Sequence, residues 1–252
     1  MDQSTIYGQQ DFNLPHDVVK LPSKGIFYKP KKESLKVGYL TAADENLLLS
    51  QNTPKDGLVT SLLRNKIYEP GFDITQMIDV DVQAILLYLR NTSFGPEYNF
   101  RITDPITNKE FEAIIKLDEI DYKTVQNLPD ANGHFTTVLP KTNKTVVCKL
   151  LNIKENNELD DLSKGYPQGM VVPIITKRLE KQVVEIDGET DRSIISTFIN
   201  QMPISDSKHL RKFLRNSEPK MDLTRIVTAP SGEKVPVEVT FGVEFFRPFF
   251  EL

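Results

Sequence analysis

Leu21-Pro-Ser-Lys-Gly-Ile-Phe-Tyr28, followed after a short gap by Ser34-Leu-Lys-Val-Gly-Tyr-Leu-Thr-Ala-Ala-Asp-Glu-Asn-Leu-Leu-Leu49, decides how this chain begins its fold. Pro22 and Gly25 punctuate the first run. Residues 26–28 and 34–40 have strand composition, with a Lys- and Pro-rich turn at 29–32 between them. Thr41 suits a helix N-cap, and Asp44, three residues on, suits the return partner of a capping box. Asp44 and Glu45 also fall where a helix dipole favours negative charge. The expected order is strand, turn, strand, capped helix.

Working outward, residues 1–20 read as an extended N-terminal arm, polar and without period, carrying isolated apolar residues such as Ile6, Phe12 and Leu14. A helical block runs from about 41 to 91. Asp56 suits the cap of a helix bearing Leu58, Leu62, Leu63 and Ile67, which Pro70-Gly71 stops. The next helix, about 75–90, has Ile78, Val82, Ile85, Leu86 and Leu89 on one face and Val80, Ala84, Leu87 and Tyr88 on a second. A helix apolar on two sides is sandwiched between other elements, so this one is expected at the core. Two hairpins follow, 98–103 with 109–117 around Asp104-Pro-Ile-Thr-Asn108, and 135–139 with 145–151 around Pro140-Lys-Thr-Asn-Lys144.

The last third returns to helix: about 150–163, about 170–181, 190–202 ending at Pro203, and a fourth capped by Ser205 with Leu210, Phe213 and Leu214 inward. Residues 183–186 suit either a continued helix or a short strand. A final hairpin, 225–228 with 235–241, precedes Val243-Glu-Phe-Phe-Arg-Pro-Phe-Phe-Glu-Leu252. The expected fold is α+β, with a helical N-terminal block, β-hairpins in the middle, and helices and a hairpin at the C-terminus. The expected divisions are the arm 1–20, an α+β domain over 21–151 with two hairpins, and a helical region over 152–252 ending in a hairpin and aromatic tail.

The 252 residues carry a formal charge of −4, and the pI is about 5.5. This argues against binding nucleic acid through overall charge. The single cysteine, Cys148, excludes a disulfide framework within the chain and fits a small buried hydrophobe in an apolar strand. No apolar run approaches the ~18 residues of a membrane span, and the N-terminus lacks the apolar region of a signal peptide. A protein made and kept in a cytoplasm is expected.

Few residues suggest chemistry. His16, His134 and His209 share no metal-ligand spacing, and no nucleophile elbow or phosphate loop occurs. Asp79 and Asp81 diverge around their helix. Asp187, Glu189 and Asp191 resemble the opening of a calcium loop, but the downstream bidentate glutamate is missing and a turn into a helix cap explains them more simply. No catalytic, cofactor-binding or metal-binding residue is assigned. Lys208, Arg211, Lys212 and Arg215, with His209, form a basic cluster suited to an acidic partner or a phosphate backbone, or simply to solvent. Phe245, Phe246, Phe249 and Phe250 are too dense for a strand facing a single core. They suit either a strand buried on both faces or docking on another subunit.

Several of these stretches occur together in a fixed order. Leu21 to Tyr28, Tyr39-Leu-Thr-Ala-Ala-Asp-Glu45, Arg64-Asn-Lys-Ile-Tyr-Glu-Pro-Gly-Phe72, Asp81 to Asn91 with Gly95-Pro-Glu-Tyr98, Met202-Pro-Ile-Ser-Asp206, Arg211-Lys-Phe213, Glu218-Pro219 and Phe245-Phe-Arg-Pro248 together resemble the baseplate hub subunit family of T-even-type contractile-tailed bacteriophages. The resemblance covers roughly residues 12–250. It implies a structural protein of the tail baseplate, located in the virion after assembly in the host cytoplasm, with neither catalytic activity nor cofactor. Other baseplate and hub proteins are the implied partners, homo-oligomerisation is compatible with it, and no membrane is involved. The expected partner-binding residues are Ile6, Phe12, Leu14, Phe245, Phe246, Phe249 and Phe250. Two rival readings are a non-virion assembly chaperone for the hub and, more distantly, a metal-dependent hydrolase using Asp187, Glu189 and Asp191.

Overall fold

The computed structural model describes residues 15–49, 55–123, 125, 127–167, 169–241 and 243–246. The chain begins in a two-stranded antiparallel sheet, β1 (His16–Lys20) against β2 (Ser34–Gly38), in register from His16↔Gly38 to Lys20↔Ser34. The last five residues of the expected arm are therefore a strand. Residues 26–28, expected as strand, are instead a succession of turns. Lys24 N–H donates to Leu21 O at 2.9 Å, Ile26 N–H to Ser23 O at 3.3 Å and Tyr28 N–H to Gly25 O at 3.2 Å. Lys24 and Gly25 have φ of 52° and 67°. A side chain at Gly25 would place its Cβ 2.0 Å from the Lys32 carbonyl oxygen, so the turn requires glycine.

Helix α1 (Ala42–Leu49) begins after Thr41, whose N–H and Oγ both donate to Asp44, at 2.7 and 2.6 Å. This is the return half of the expected capping box. Asp44 also forms a buried ion pair with Lys66, at the end of α2 (Lys55–Lys66). The expected cap Asp56 has a side chain outside the described residues. Leu58, Leu62 and Leu63 bury one side of α2. A 3-10 turn (Ile74–Gln76) leads into α3 (Asp79–Phe94), which buries Val80, Val82, Ala84, Ile85, Leu86 and Leu89. These come from both apolar strips, so α3 is the core helix that the pattern predicts.

The hairpin β3 (Glu97–Thr103) with β4 (Glu110–Lys116) pairs throughout and alternates in burial with period two. Strand β5 (Tyr122–Lys123) lies ahead of the second hairpin, β6 (Phe135–Val138) with β7 (Thr145–Cys148). Helix α4 (Ile153–Gly165) starts with a full capping box. Asn152 Oδ1 accepts from Glu155 N–H at 2.9 Å, and Glu155 Oε2 accepts from Asn152 N–H at 3.3 Å. After α5 (Ile174–Gln182) the undecided segment is strand β8 (Val183–Ile186), which completes a sheet in the order β6-β7-β8. The expected boundary after residue 151 thus lies between two strands of one sheet.

Helix α6 (Arg192–Gln201) is capped by Asp191, and α7 (Ile204–Ser217) follows at once. Pro203 holds the cap position of α7, which moves Ser205 into the first turn instead of the cap. Strand β9 (Lys220–Met221) pairs with β5 across the molecule, β10 (Thr224–Thr228) and β11 (Lys234–Glu238) form the last hairpin, and a single turn α8 (Val243–Phe246) follows. One apolar cluster runs through all of this, from Leu21 to Phe246. Each fully buried Leu, Ile or Phe contributes roughly 1.5–3 kcal/mol. The architecture is α+β.

Candidate functional site

Several of the motif segments meet at the two ends of α3. At its start Asp81 has no exposed surface and accepts from Ser23 N–H at 3.0 Å, Ser23 Oγ at 2.5 Å and Tyr28 Oη at 2.5 Å. Tyr28 Oη in turn accepts from Ile78 N–H at 3.2 Å, and Ser23 Oγ from Gly25 N–H at 3.0 Å. Burial pushes the Asp81 carboxyl above its ordinary range despite these donors, and it pushes the Tyr28 phenol up as well. The cluster ties the loop over residues 22–28 to the positive end of α3. With all its members enclosed, it offers a substrate no access.

At the other end Arg90 is equally enclosed. Its Nη1 donates to Gly95 O and its Nη2 to Glu97 O at 2.8 Å, while its guanidinium lies 5.5 Å from the Phe94 ring and 5.8 Å from that of Tyr98. Burial pulls the guanidinium pKa down to about 10. The Arg90 and Gly95-Pro-Glu-Tyr98 motifs are therefore one helix terminus, a cation meeting the carbonyls of the chain that leaves α3.

The same cluster explains the aromatic tail. Phe245 lies 5.6 Å from Tyr98, 4.9 Å from Phe241 and 5.3 Å from Phe246, and both Phe245 and Phe246 are only 1 % exposed. The expectation that these two meet a partner is corrected: they close the chain's own core. The segment is a helical turn packed on α2, not a strand, so neighbouring side chains both reach inward. Phe249, Phe250, Ile6, Phe12 and Leu14 lie outside the described residues.

The carboxylates that could suggest a metal site hold turns. Asp187 accepts from Thr145 N–H at 2.8 Å and pairs with Lys144 at 2.7 Å, Glu189 accepts from Asp191 N–H at 2.8 Å, and Asp191 caps α6 through Ser193 and Ile194. Among the described residues no group of three His, Cys, Asp or Glu side chains could hold a metal ion. The histidines are apart: His16 packs edge-on to Tyr68, His134 donates its backbone N–H to Asp130, and His209 Nε2 meets Thr137 Oγ1 at 3.1 Å. Cys148 is buried, with its thiol pushed up to about 12 by desolvation and donating to Phe135 O at 3.4 Å. This is the inert strand cysteine that the sequence suggests.

Three surface features remain. Lys208, Lys212 and Arg215 are exposed and Arg211 is half-buried, all on the side of α7 opposite the buried Asp206, Leu210, Leu214 and Ser217. A second feature escaped the sequence reading, because an apolar run before a helix reads as the helix's buried face. Met170 and Val171 are exposed, Val171 to 91 %, as is Ile175 in the first turn of α5. Gly169 and Pro173, which bracket the run, were the available signal. The third is a cleft of about 510 Å³ lined by Phe27, Lys29, Phe72, Asn132, His134 and Lys149, so two of the motif segments also face it. No described helix is long and apolar enough to cross a membrane.

A family profile described as T4 bacteriophage base plate protein matches residues 16–247. No curated protein and no solved structure matches the chain. The match takes in both ends of α3, the three-stranded sheet, α7 and the buried phenylalanines, and this chain belongs to the T4 bacteriophage base plate protein family.

Proposed function

We propose that this chain is a structural component of the central hub of the phage tail baseplate, acting through protein–protein contacts during tail assembly. Membership of the baseplate family supports a structural role in the tail baseplate among other baseplate proteins. The observation that carries the contact-forming reading is the exposed apolar run at Met170, Val171 and Ile175, beside a fold whose buried acids, among the described residues, are engaged in turns and caps. Apolar surface of this kind marks protein contact sites. Ile6, Phe12, Leu14, Phe249 and Phe250 supply further contacts in this reading, because apolar and aromatic side chains are preferred interface anchors.

Quantitative mass spectrometry of purified virions, set against known hub proteins, tests the proposal. A fixed stoichiometric copy number in the baseplate is the expected result. Copies in assembly intermediates but none in virions would establish the chaperone reading instead. Val171→Asp in an otherwise intact phage is expected to reduce hub assembly while leaving the purified protein's unfolding midpoint unchanged.

A further inference from the structure

Helix α7 turns a fixed side to the core. Leu210 and Leu214 are buried, Asp206 Oδ1 accepts from Lys141 N–H at 2.7 Å, and His209 meets Thr137 on β6, which together set the rotation of the helix. The outward side carries Ile204, Lys208, Lys212 and Arg215, flanked by Arg211. At 1.5 Å per residue, the charges from Lys208 to Arg215 lie along roughly 10 Å of helix. Lys141, exposed in the turn that Asp206 holds, adds a cation near the start of the helix.

Carboxylates are more numerous than cations in this chain, and many of its other cations sit beside one: Lys32 at Glu69, Lys144 at Asp187, Lys181 at Glu158. None of the four on α7 forms an ion pair with a described carboxylate, and the helix's one acid, Asp206, is turned inward and taken by Lys141 and Thr142. Lys208 with Lys212, and Arg211 with Arg215, are like charges one turn apart. Each such pair opposes the helix by roughly 0.2–0.5 kcal/mol. A face serving only solubility would intersperse both signs. The cost is offset when opposite charge arrives from outside.

Resting on the reading of this chain as a contact-forming baseplate protein, we propose that the outer face of α7 docks an acidic segment of a neighbouring baseplate protein. That segment carries carboxylates spaced over about two helical turns, matching Lys208, Lys212 and Arg215, and an apolar side chain for Ile204, which is 73 % exposed at the head of the stripe. Nucleic acid fits less well: the chain's net charge is −4, and the outward stripe has no aromatic ring on which a base could stack.

Two measurements test this. Purified full-length protein is titrated with a helical glutamate-rich peptide and, separately, with duplex DNA. The peptide is expected to bind with an affinity that falls as salt rises, to lose at least about tenfold on Lys208→Glu/Lys212→Glu, and to be retained by Lys208→Arg/Lys212→Arg. Absence of peptide binding at low salt, indifference to charge reversal with the unfolding midpoint unchanged, or tighter binding of DNA than of peptide overturns the inference. Assembled tails are then treated with a carbodiimide, which joins amines and carboxylates only in direct contact. Isopeptide bonds from Lys208 or Lys212 to an acidic residue of another protein are expected. Their absence from tails that contain the chain overturns the docking face and leaves the hub proposal standing. Absence of the chain from tails overturns the hub proposal, and the peptide titration then decides the docking face alone.

Discussion

Asp81 and Asp206 are the third residues of α3 and α7, both without exposed surface and both fed by a loop about sixty residues away in sequence. Asp81 receives one backbone N–H and two hydroxyls, from Ser23 and Tyr28. Asp206 receives two backbone N–H groups and one hydroxyl, from Lys141 and Thr142. Their acidities nevertheless move in opposite directions. Desolvation dominates at Asp81 and raises its pKa. At Asp206 burial also raises it, but the Thr142 hydroxyl and the two N–H groups outweigh that and hold the carboxyl below its usual range. Both are covered, but the donors to Asp81, Ser23 and Tyr28, are themselves buried, whereas Lys141 beside Asp206 is exposed and Thr142 half-buried. The same helix-start device is thus a core fixture in one place and a shallow clasp in the other, and depth sets its electrostatic sign.

The largest expected effect is at the deep site. Asp81→Ala leaves the Ser23 and Tyr28 donors enclosed without an acceptor and is expected to lower unfolding free energy by about 3–5 kcal/mol in denaturant titration. Asp206→Ala leaves the Lys141 and Thr142 donors within reach of water and is expected to cost about 1–2 kcal/mol. Equal losses would break the comparison, since depth would then not matter. Gly25→Ala attacks the same loop through its backbone, where φ is 67° and the added carbon meets the Lys32 carbonyl, and should cost about 2 kcal/mol or more.

Acid titration sharpens the comparison further. A carboxyl with a depressed folded pKa contributes stability that is present above its unfolded value, near 3.9, and is lost as pH falls through the folded one. Asp206 belongs to this class. So does Asp104, where burial is outweighed by the N–H groups of Ile106, Thr107 and Ser231 and the Ser231 hydroxyl, so that its pKa falls to about 2. Asp81 runs the other way. Its pKa is raised, so the folded state binds its proton more tightly, and its contribution is largest at low pH and declines as pH rises from about 3.9 through its folded value. Denaturation midpoints measured from acid to neutral pH should therefore fall more steeply on acidification in Asp81→Asn than in the unaltered protein, and less steeply in Asp206→Asn. The opposite pairing of slopes would reverse the assignment of depth.

Tyr28→Phe is expected to cost about 1.5–3 kcal/mol, because it removes a donor to Asp81 and leaves Ile78 N–H, at the start of α3, without its acceptor. None of this was visible around residue 28 itself. Ile-Phe-Tyr has strand composition, and the contact that holds Tyr28 inward comes from Asp81, 53 residues away from Tyr28. The polar sequence of β1, His-Asp-Val-Val-Lys, hid its pairing with β2 for the same reason. Elements whose decisive information is local were legible: the hairpins through turn residues and period two, α3 through its two apolar strips, α7 through its helical spacing. The basic stripe was readable from that spacing, although its freedom from carboxylates required the packed structure. The placement of Phe245 depended on its contact with Tyr98, distant in sequence, which no local pattern announces.

The smallest effect tests the shallow clasp alone. Thr142→Ala removes the hydroxyl that donates to Asp206 at 2.8 Å but leaves the Lys141 and Thr142 N–H groups at 2.7 and 3.0 Å. Two of three donors persist and the carboxylate keeps its charge, so a loss of about 0.5–1 kcal/mol is expected, smaller than that for Tyr28→Phe. The pKa of Asp206, followed by the pH dependence of its side-chain carbon chemical shift, should rise toward the ordinary carboxylate range, because the hydroxyl is the leading group holding it down. A stability loss as large as that of Tyr28→Phe, or an unchanged Asp206 titration, would mean that Asp206 is governed by burial as Asp81 is. The two helix starts would then be one device at one depth.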